Sequence, residues 1–223
     1  MKQLFQLCGV SGRVSRMDFV HPIAALIPGA QGRVLEVLAE TTAELNLRTL
    51  ARLSGVSVAQ VSRVLPGLVE LGLVERREVP PSSQFLLVRD HVVARVILDL
   101  AAVHDTVVSE LGRAAAALVA PPVSVILFGS FARGEAGRES DLDVVFVRPA
   151  GLDEDDDQWA DGIERWRSEV QSITGNPVEV LEVAEGQIAS RLRSKRQLWR
   201  DIRRDGRVVH GVDIDEWLGT RVG

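Results

Sequence analysis

The chain has no tyrosine, a single cysteine, two methionines and only 4% aromatic residues. One cysteine, Cys8, excludes an internal disulfide and a cysteine-built zinc site. Without tyrosine, self-modification on a phenol is excluded, so any tyrosine that the protein acts on must lie on a partner. Lysine is nearly absent: 24 of the 26 basic residues are arginine, which reads as a compositional bias because the net charge is still −5. A net acidic chain can nonetheless bind nucleic acid through a local basic patch. No apolar run approaches the roughly 20 residues needed to span a bilayer, so no membrane partner is expected. The opening Met-Lys-Gln-Leu-Phe lacks the apolar core of a signal peptide, which points to a cytoplasmic protein.

What is present is globular. Apolar residues make up 46% and charged residues 26% of 223 residues, enough for one large or two small cores. Three regions differ in pattern, without an internal repeat. Residues 22–90 alternate short helical patterns with turns, 91–120 read as one long apolar helix, and from Pro121-Pro122 to about residue 212 strand-like and helical runs alternate. The acidic run 153–157 reads as a solvated loop leading into a helix over 159–174. The last residues, 212–223, carry no readable signal.

In the first region Val34, Leu35, Val37 and Leu38 share a helical face. Asn46 can cap a helix over 47–53 that ends at Ser54-Gly55. Another opens at Ser57 with Val58, Val61, Val64, Leu65 and Leu68 at helical spacing. Leu73-Val74-Glu75-Arg76-Arg77 and residues 84–88 then predict two strands around Pro80-Pro81-Ser82-Ser83. Helix, helix, turn, helix, hairpin is the order of a winged helix-turn-helix. The stretch Leu50-Ala51-Arg52-Leu53-Ser54-Gly55-Val56-Ser57, with Val61-Ser62-Arg63 and Leu71-Gly72-Leu73-Val74, resembles bacterial winged-helix regulators of the ArsR and MarR type. The resemblance implies that Ser57, Gln60, Ser62 and Arg63 face DNA and that Arg76 and Arg77 on the wing touch phosphate. Against this, six arginines between Asn46 and His91 meet four acids, a balance of only +2. Pro66-Gly67 also falls inside the recognition helix, where a proline costs roughly 3 kcal/mol or kinks the helix.

In the last region Val123-Ser124-Val125-Ile126-Leu127-Phe128 is a β-branched apolar run that stops at Gly129-Ser130, after which Phe131-Ala132-Arg133-Gly134 begins a helical turn. A loop leads to Ser140-Asp141-Leu142-Asp143-Val144-Val145-Phe146-Val147, a second strand. Residues i and i+2 on a strand face the same way, so Asp141 and Asp143 converge. Two carboxylates so close repel, and a divalent cation relieves the repulsion; oxygen-only ligands beside a triphosphate suit Mg²⁺ or Mn²⁺. Gly129 allows backbone to approach a phosphate, Ser130 adds a hydroxyl and an amide, and Arg133 is a charge-assisted donor.

The combination Gly129-Ser130-Phe131-Ala132-Arg133-Gly134 … Ser140-Asp141-Leu142-Asp143 resembles the signature of the DNA-polymerase-β-like nucleotidyltransferases, and most closely the minimal ones. The resemblance implies nucleotide contacts at Gly129, Ser130, Arg133 and Ser140. It also implies a third carboxylate on a later strand, for which Glu179 in Asn176-Pro177-Val178-Glu179-Val180 is the candidate. Glu182 has the opposite parity. Asp141, Asp143 and Glu179 would then hold metal, with Glu179 as base toward the acceptor. A helix over 186–204 and a closing strand through His210 complete the pattern, with Trp199 read as core.

The fold expected is α+β: an N-terminal winged helix-turn-helix, then a nucleotidyltransferase domain with a mixed β-sheet flanked by helices. The activity implied is Mg²⁺-dependent transfer of an NMP, from ATP or another NTP, to a hydroxyl on a partner protein, a tRNA or a small molecule. Minimal relatives often belong to toxin–antitoxin pairs. The alternative is a DNA-binding transcription regulator whose transferase domain senses nucleotide or is inactive. The apolar stretch 91–120 leaves room for a homodimer.

Overall fold

A computed structural model describes residues 17–137 and 139–219; Cys8, the opening Met-Lys-Gln-Leu-Phe and the last four residues lie outside these. The first unit begins with α1 (Pro22–Leu26) and α2 (Ala30–Glu40), followed by β1 (Leu45–Asn46), α3 (Leu47–Ser54) and α4 (Val58–Glu70). A hairpin of β2 (Val74–Val79) and β3 (Ser82–Leu87) then forms a three-stranded sheet of order β1-β3-β2. The caps are local. Asn46 Oδ1 accepts the Thr49 amide at 2.9 Å, Gly55 ends α3 at φ 63°, and Ser57 and Gln60 form a reciprocal capping box on α4.

Proline 66 does not break α4. It lies on the exposed side, so solvent can take the Ser62 carbonyl that lacks an amide partner. The hairpin turn is tighter than the four residues expected, with Val79 and Ser82 paired across Pro80-Pro81. Val34, Leu35, Leu38, Leu50, Val61, Leu65 and Phe85 form the core of this unit.

The expected single helix over 91–120 is two: α5 (Val92–Ala101) and α6 (Val103–Ala116). The break falls at Ala102, whose carbonyl accepts the amides of Asp105 and Thr106. The cause is packing. Ala94 and Ile97 of α5 belong to the winged-helix core, whereas Val107, Leu111, Ala114 and Ala115 of α6 belong to a second core. One straight helix cannot turn its apolar stripe toward both.

The second unit is built on β4 (Ser124–Phe128), α7 (Gly129–Ala132), β5 (Leu142–Arg148), α8 (Asp157–Thr174) and β6 (Val178–Ala184). It is completed by α9 (Glu185–Leu192), α10 (Gln197–Asp205), β7 (Arg207–Gly211) and α11 (Ile214–Leu218). The sheet order is β6-β5-β4-β7, with β5 and β6 parallel and the other pairs antiparallel. Alternation splits its side chains. Val125, Leu127, Leu142, Val144 and Phe146 pack with α6 and with Trp159, Trp166 and Val170 of α8. Ile126, Val145, Val147 and Val183 pack with Ile188, Leu192, Trp199 and Ile202. Trp199 is therefore core. The helix expected over 186–204 is interrupted between Leu192 and Gln197, where the Ser194 hydroxyl accepts the Arg196 amide at 3.2 Å. Asp156 caps α8 by accepting the Trp159 amide at 2.9 Å, and Asp157 lies in its first turn. The unread tail supplies Ile214, Trp217 and Leu218 to the core beneath α9 and α10.

Candidate active site

The end of β4, the start of β5, the start of β6 and the start of β7 lie along one edge of the sheet. The register pairs Phe128 with Asp143, Asp143 with Glu179, and Leu127 with Arg207. Asp143 shares its face with Val145 and Val147, and Glu179 shares that face with Val183. Two carboxylates on neighbouring parallel strands, in register and on one face, thus meet at the edge. Glu182 has the opposite parity and forms an ion pair with Arg148 at 2.7 Å.

Asp141 stands just before β5, which begins at Leu142 and not at Ser140. The reason is a tether from the β6 side. The Leu142 amide donates to the Pro177 carbonyl at 2.8 Å, and the Asn176 side-chain amide donates to the Ser140 carbonyl at 2.8 Å. Asn176 is wholly buried, and its own amide donates to the Thr174 hydroxyl at 3.2 Å. This anchor has no short-range sequence signal. Asn176→Ala is expected to cost about 1–3 kcal/mol, since it leaves the partly buried Ser140 carbonyl without its donor, and to lower activity by loosening Asp141. Urea unfolding and a transfer assay on the same sample check both effects.

The carboxyl of Asp143 titrates above its ordinary value of 3.8, first because burial disfavours its charged form, then because of Asp141 and Glu179. Asp141 and Glu179 both lie close enough to act electrostatically on the Asp143 carboxylate. Gly129 explains how Asp143 fits. Its φ is +74°, and a Cβ added there would stand 2.4 Å from Asp143 Oδ2. The space left by the missing side chain is filled by this carboxylate.

Ser130 and Ser140 flank the edge half-buried. Arg133, expected on the phosphates, donates from Nε to Glu135 at 2.8 Å and lies 4.0 Å from Asp205. His104, which has no readable signal in the sequence, donates a 2.7 Å hydrogen bond from Nε2 to the Phe131 carbonyl and stacks on the Phe131 ring at 4.8 Å. It ties α6 to α7. Among the described residues no group of three or more His, Cys, Asp or Glu side chains is placed to hold a metal ion by itself.

On the winged helix, the side chains of Ser57 and Gln60 engage each other in the α4 cap, while Ser62 and Arg63 stand exposed. The wing arginines are paired: Arg76 with Glu78, and Arg77 with Glu75 and Glu44. A groove of about 1060 Å³ between α4 and the wing, lined by Ser62, Leu65, Val69, Arg76 and Phe85, shares no residue with the carboxylate edge.

Residues 108–203 match the family model for the nucleotidyltransferase domain, and residues 32–78 match that for the IclR helix-turn-helix domain. The chain is a winged helix-turn-helix fused to a nucleotidyltransferase domain. The match to the IclR model bears out the winged helix-turn-helix expected from the sequence. No curated protein matches the chain. Among solved structures it is similar to a MarR family transcriptional regulator from Silicibacter pomeroyi, at 28% identity over 40% of this chain and 62% of that one, with a TM-score of 0.30. It is also similar to RV1404 from Mycobacterium tuberculosis, at 27% identity over 41% and 67%, with a TM-score of 0.31. A structure described as a toxin-antitoxin with AMP-PNP matches at 18% identity over 48% and 76%, with a TM-score of 0.33. No helix among the described residues is long and apolar enough to cross a membrane.

Proposed function

We propose that the nucleotidyltransferase domain transfers a nucleoside monophosphate, from ATP or another NTP, to an acceptor hydroxyl at the carboxylate edge of the four-stranded sheet. The observation that carries this reading is the in-register pair Asp143 and Glu179, with Asp141 beside them and Gly129 cleared for the Asp143 carboxylate. The donor set fits a hard divalent cation such as Mg²⁺ or Mn²⁺: it is oxygen only, mutually repelling, and open enough for triphosphate oxygens to complete the coordination. Asp141, Asp143 and Glu179 would hold the cation, which when bound draws charge from the α-phosphate. The Ser130 hydroxyl and amide and the Ser140 hydroxyl bind phosphate oxygens. Arg133 reaches them by exchanging Glu135 for phosphate.

The exposed Glu179 takes the proton of the acceptor hydroxyl. The acceptor oxygen then forms a bond to the α-phosphorus, the bond from that phosphorus to the bridging oxygen breaks in line, and pyrophosphate leaves. The test is incubation with labelled ATP and Mg²⁺ in the presence of cell extract. Transfer to a macromolecule supports the reading. Hydrolysis alone, or no reaction with any of the four NTPs, overturns it.

A pH dependence follows from Asp143. Its folded-state pKa lies above the unfolded value, so ionising it costs stability. In the cation-free protein stability therefore falls as pH rises from the ordinary aspartate value through the raised one. Added Mg²⁺ favours the ionised form and is expected to restore the loss. Melting temperatures at several pH values, with and without Mg²⁺, check this; a melting temperature indifferent to Mg²⁺ throughout contradicts it.

The second reading, a DNA-binding regulator, is favoured by the matched helix-turn-helix and by the exposure of Ser62 and Arg63 on α4. The ion pairs at Arg76 and Arg77 weigh against a wing that grips phosphate unaided. A toxin–antitoxin role rests on the sequence resemblance.

A further inference from the structure

Little within α7 holds it in shape. It has four residues and no side-chain cap. Its turn is closed by the Glu135 amide on the Ser130 carbonyl at 2.8 Å and the Gly134 amide on the Phe131 carbonyl at 3.1 Å. So short a turn does not persist unaided, because nucleating a helix costs more than its first bonds return. Yet α7 carries Gly129, against which the Asp143 carboxylate fits, and Ser130, to which the transferase reading gives a phosphate.

The ties that fix α7 come from distant parts of the chain. The Phe131 carbonyl can only accept, so Nε2 of His104 is the donor in the 2.7 Å bond between them. The imidazole lies within 20° of parallel to the wholly buried Phe131 ring. Phe19 meets the same ring edge to face at 5.2 Å, and its amide donates to the Ala136 carbonyl just past α7. The helix on which His104 stands is itself pinned. Asp105 pairs with Arg207 of β7 at 3.3 Å. Farther along α6, Gly112 lies so close to β7 that an added Cβ would stand 2.0 Å from the Val209 carbonyl oxygen.

Packing alone does not call for a histidine here. A phenyl ring would fill the same space and keep the stack, but would leave the Phe131 carbonyl with the Gly134 amide as its donor. A hydrogen bond is directional where a ring contact is not, so the imidazole N–H sets how α7 is turned about its own axis. That rotation decides where Ser130, the residue before Phe131, points.

Resting on the transferase reading, we infer that His104 is a positioning residue for the nucleotide: its Nε2–H holds α7 so that Ser130 meets the triphosphate. It acts through Phe131 and touches neither nucleotide nor cation. Its removal therefore weakens nucleotide binding and spares the chemical step, the reverse of what removal of Asp143 does.

Steady-state kinetics of the full chain test this with two substitutions. His104→Phe keeps an aromatic ring on Phe131 and removes the donor; His104→Gln removes the ring, and its terminal amide reaches as far as Nε2. With the NTP that the wild type transfers best, His104→Phe is expected to raise KM about tenfold and to keep kcat within about threefold. His104→Gln is expected to bring KM back to within about threefold of the wild type. Val170→Ala, in the same core but on α8, is the control: it lowers the melting temperature and leaves KM unchanged. Where His104→Phe does not fold, His104→Asn, whose amide stops short of the carbonyl, takes its place. A KM unmoved by loss of the donor, raised equally by His104→Gln, or raised equally by Val170→Ala overturns the inference and leaves transfer standing. No transfer by the wild type with any NTP overturns the transferase reading instead. The same variants are then compared by their Kd for a fluorescent ATP analogue with Mg²⁺, where no binding by the wild type, or equal Kd for wild type and His104→Phe, overturns the inference as well.

Discussion

Asp143→Asn is expected to cut nucleotidyl transfer at least about 10³-fold while leaving the cation-free protein as stable as before or more so. The two effects have one cause. The carboxylate is half-buried beside Asp141 and Glu179, and all three raise the cost of its charge. Asparagine removes that repulsion, so folding gains. It also removes an anionic ligand from the place where a cation and the α-phosphate would meet, and a 10³-fold loss corresponds to about 4 kcal/mol of transition-state stabilisation. A transfer assay and a melting curve in chelator, run on the same preparation, read both signs. Equal loss of stability and activity would point to a structural aspartate instead.

Gly129→Ala is the second large effect, expected at about 10² in activity with about 1–3 kcal/mol of stability. Part of the cost is the positive φ of +74°, which a Cβ makes unfavourable. The rest is collision, since the new Cβ would stand 2.4 Å from Asp143 Oδ2 and 3.3 Å from its Cγ, so the carboxylate must move. A displacement of about 1 Å at a reacting centre costs about 10²-fold. Gly134→Ala separates the two parts: φ there is +69°, but nothing lies within 4 Å of an added Cβ. It is expected to share the strain and to keep most of the activity. Unfolding free energies and initial rates for both variants make the comparison.

The features legible in the sequence were those set by neighbouring residues. Asn46 and the Ser57 to Gln60 pair announced their helices because a cap is satisfied within three positions. Parity along a strand set Glu179 and Glu182 on opposite faces. What the sequence did not reveal depends on partners far along the chain. Arg77 is paired with Glu44 on the turn before β1, and Asn176 fixes Ser140 from 36 residues away. The break at Ala102 arises because two separate cores compete for one apolar segment, and no local pattern records which core each residue serves. Gly129 was legible as a special backbone position, but its contact with Asp143 was not. Only the register that lays Asp143 beside it shows that a carboxylate fills the space.

The central claim is that the edge formed by Asp141, Asp143 and Glu179 acts on the α-phosphate of an NTP. The most direct measurement compares ATP labelled at the α-phosphate with ATP labelled at the γ-phosphate, each with Mg²⁺ and an acceptor mixture, for the wild type and Asp143→Asn. The account predicts that α-label becomes attached to a macromolecule, that γ-label is released in pyrophosphate, and that the substitution abolishes both. Attachment of γ-label, or equal attachment of α-label by the two proteins, would contradict it.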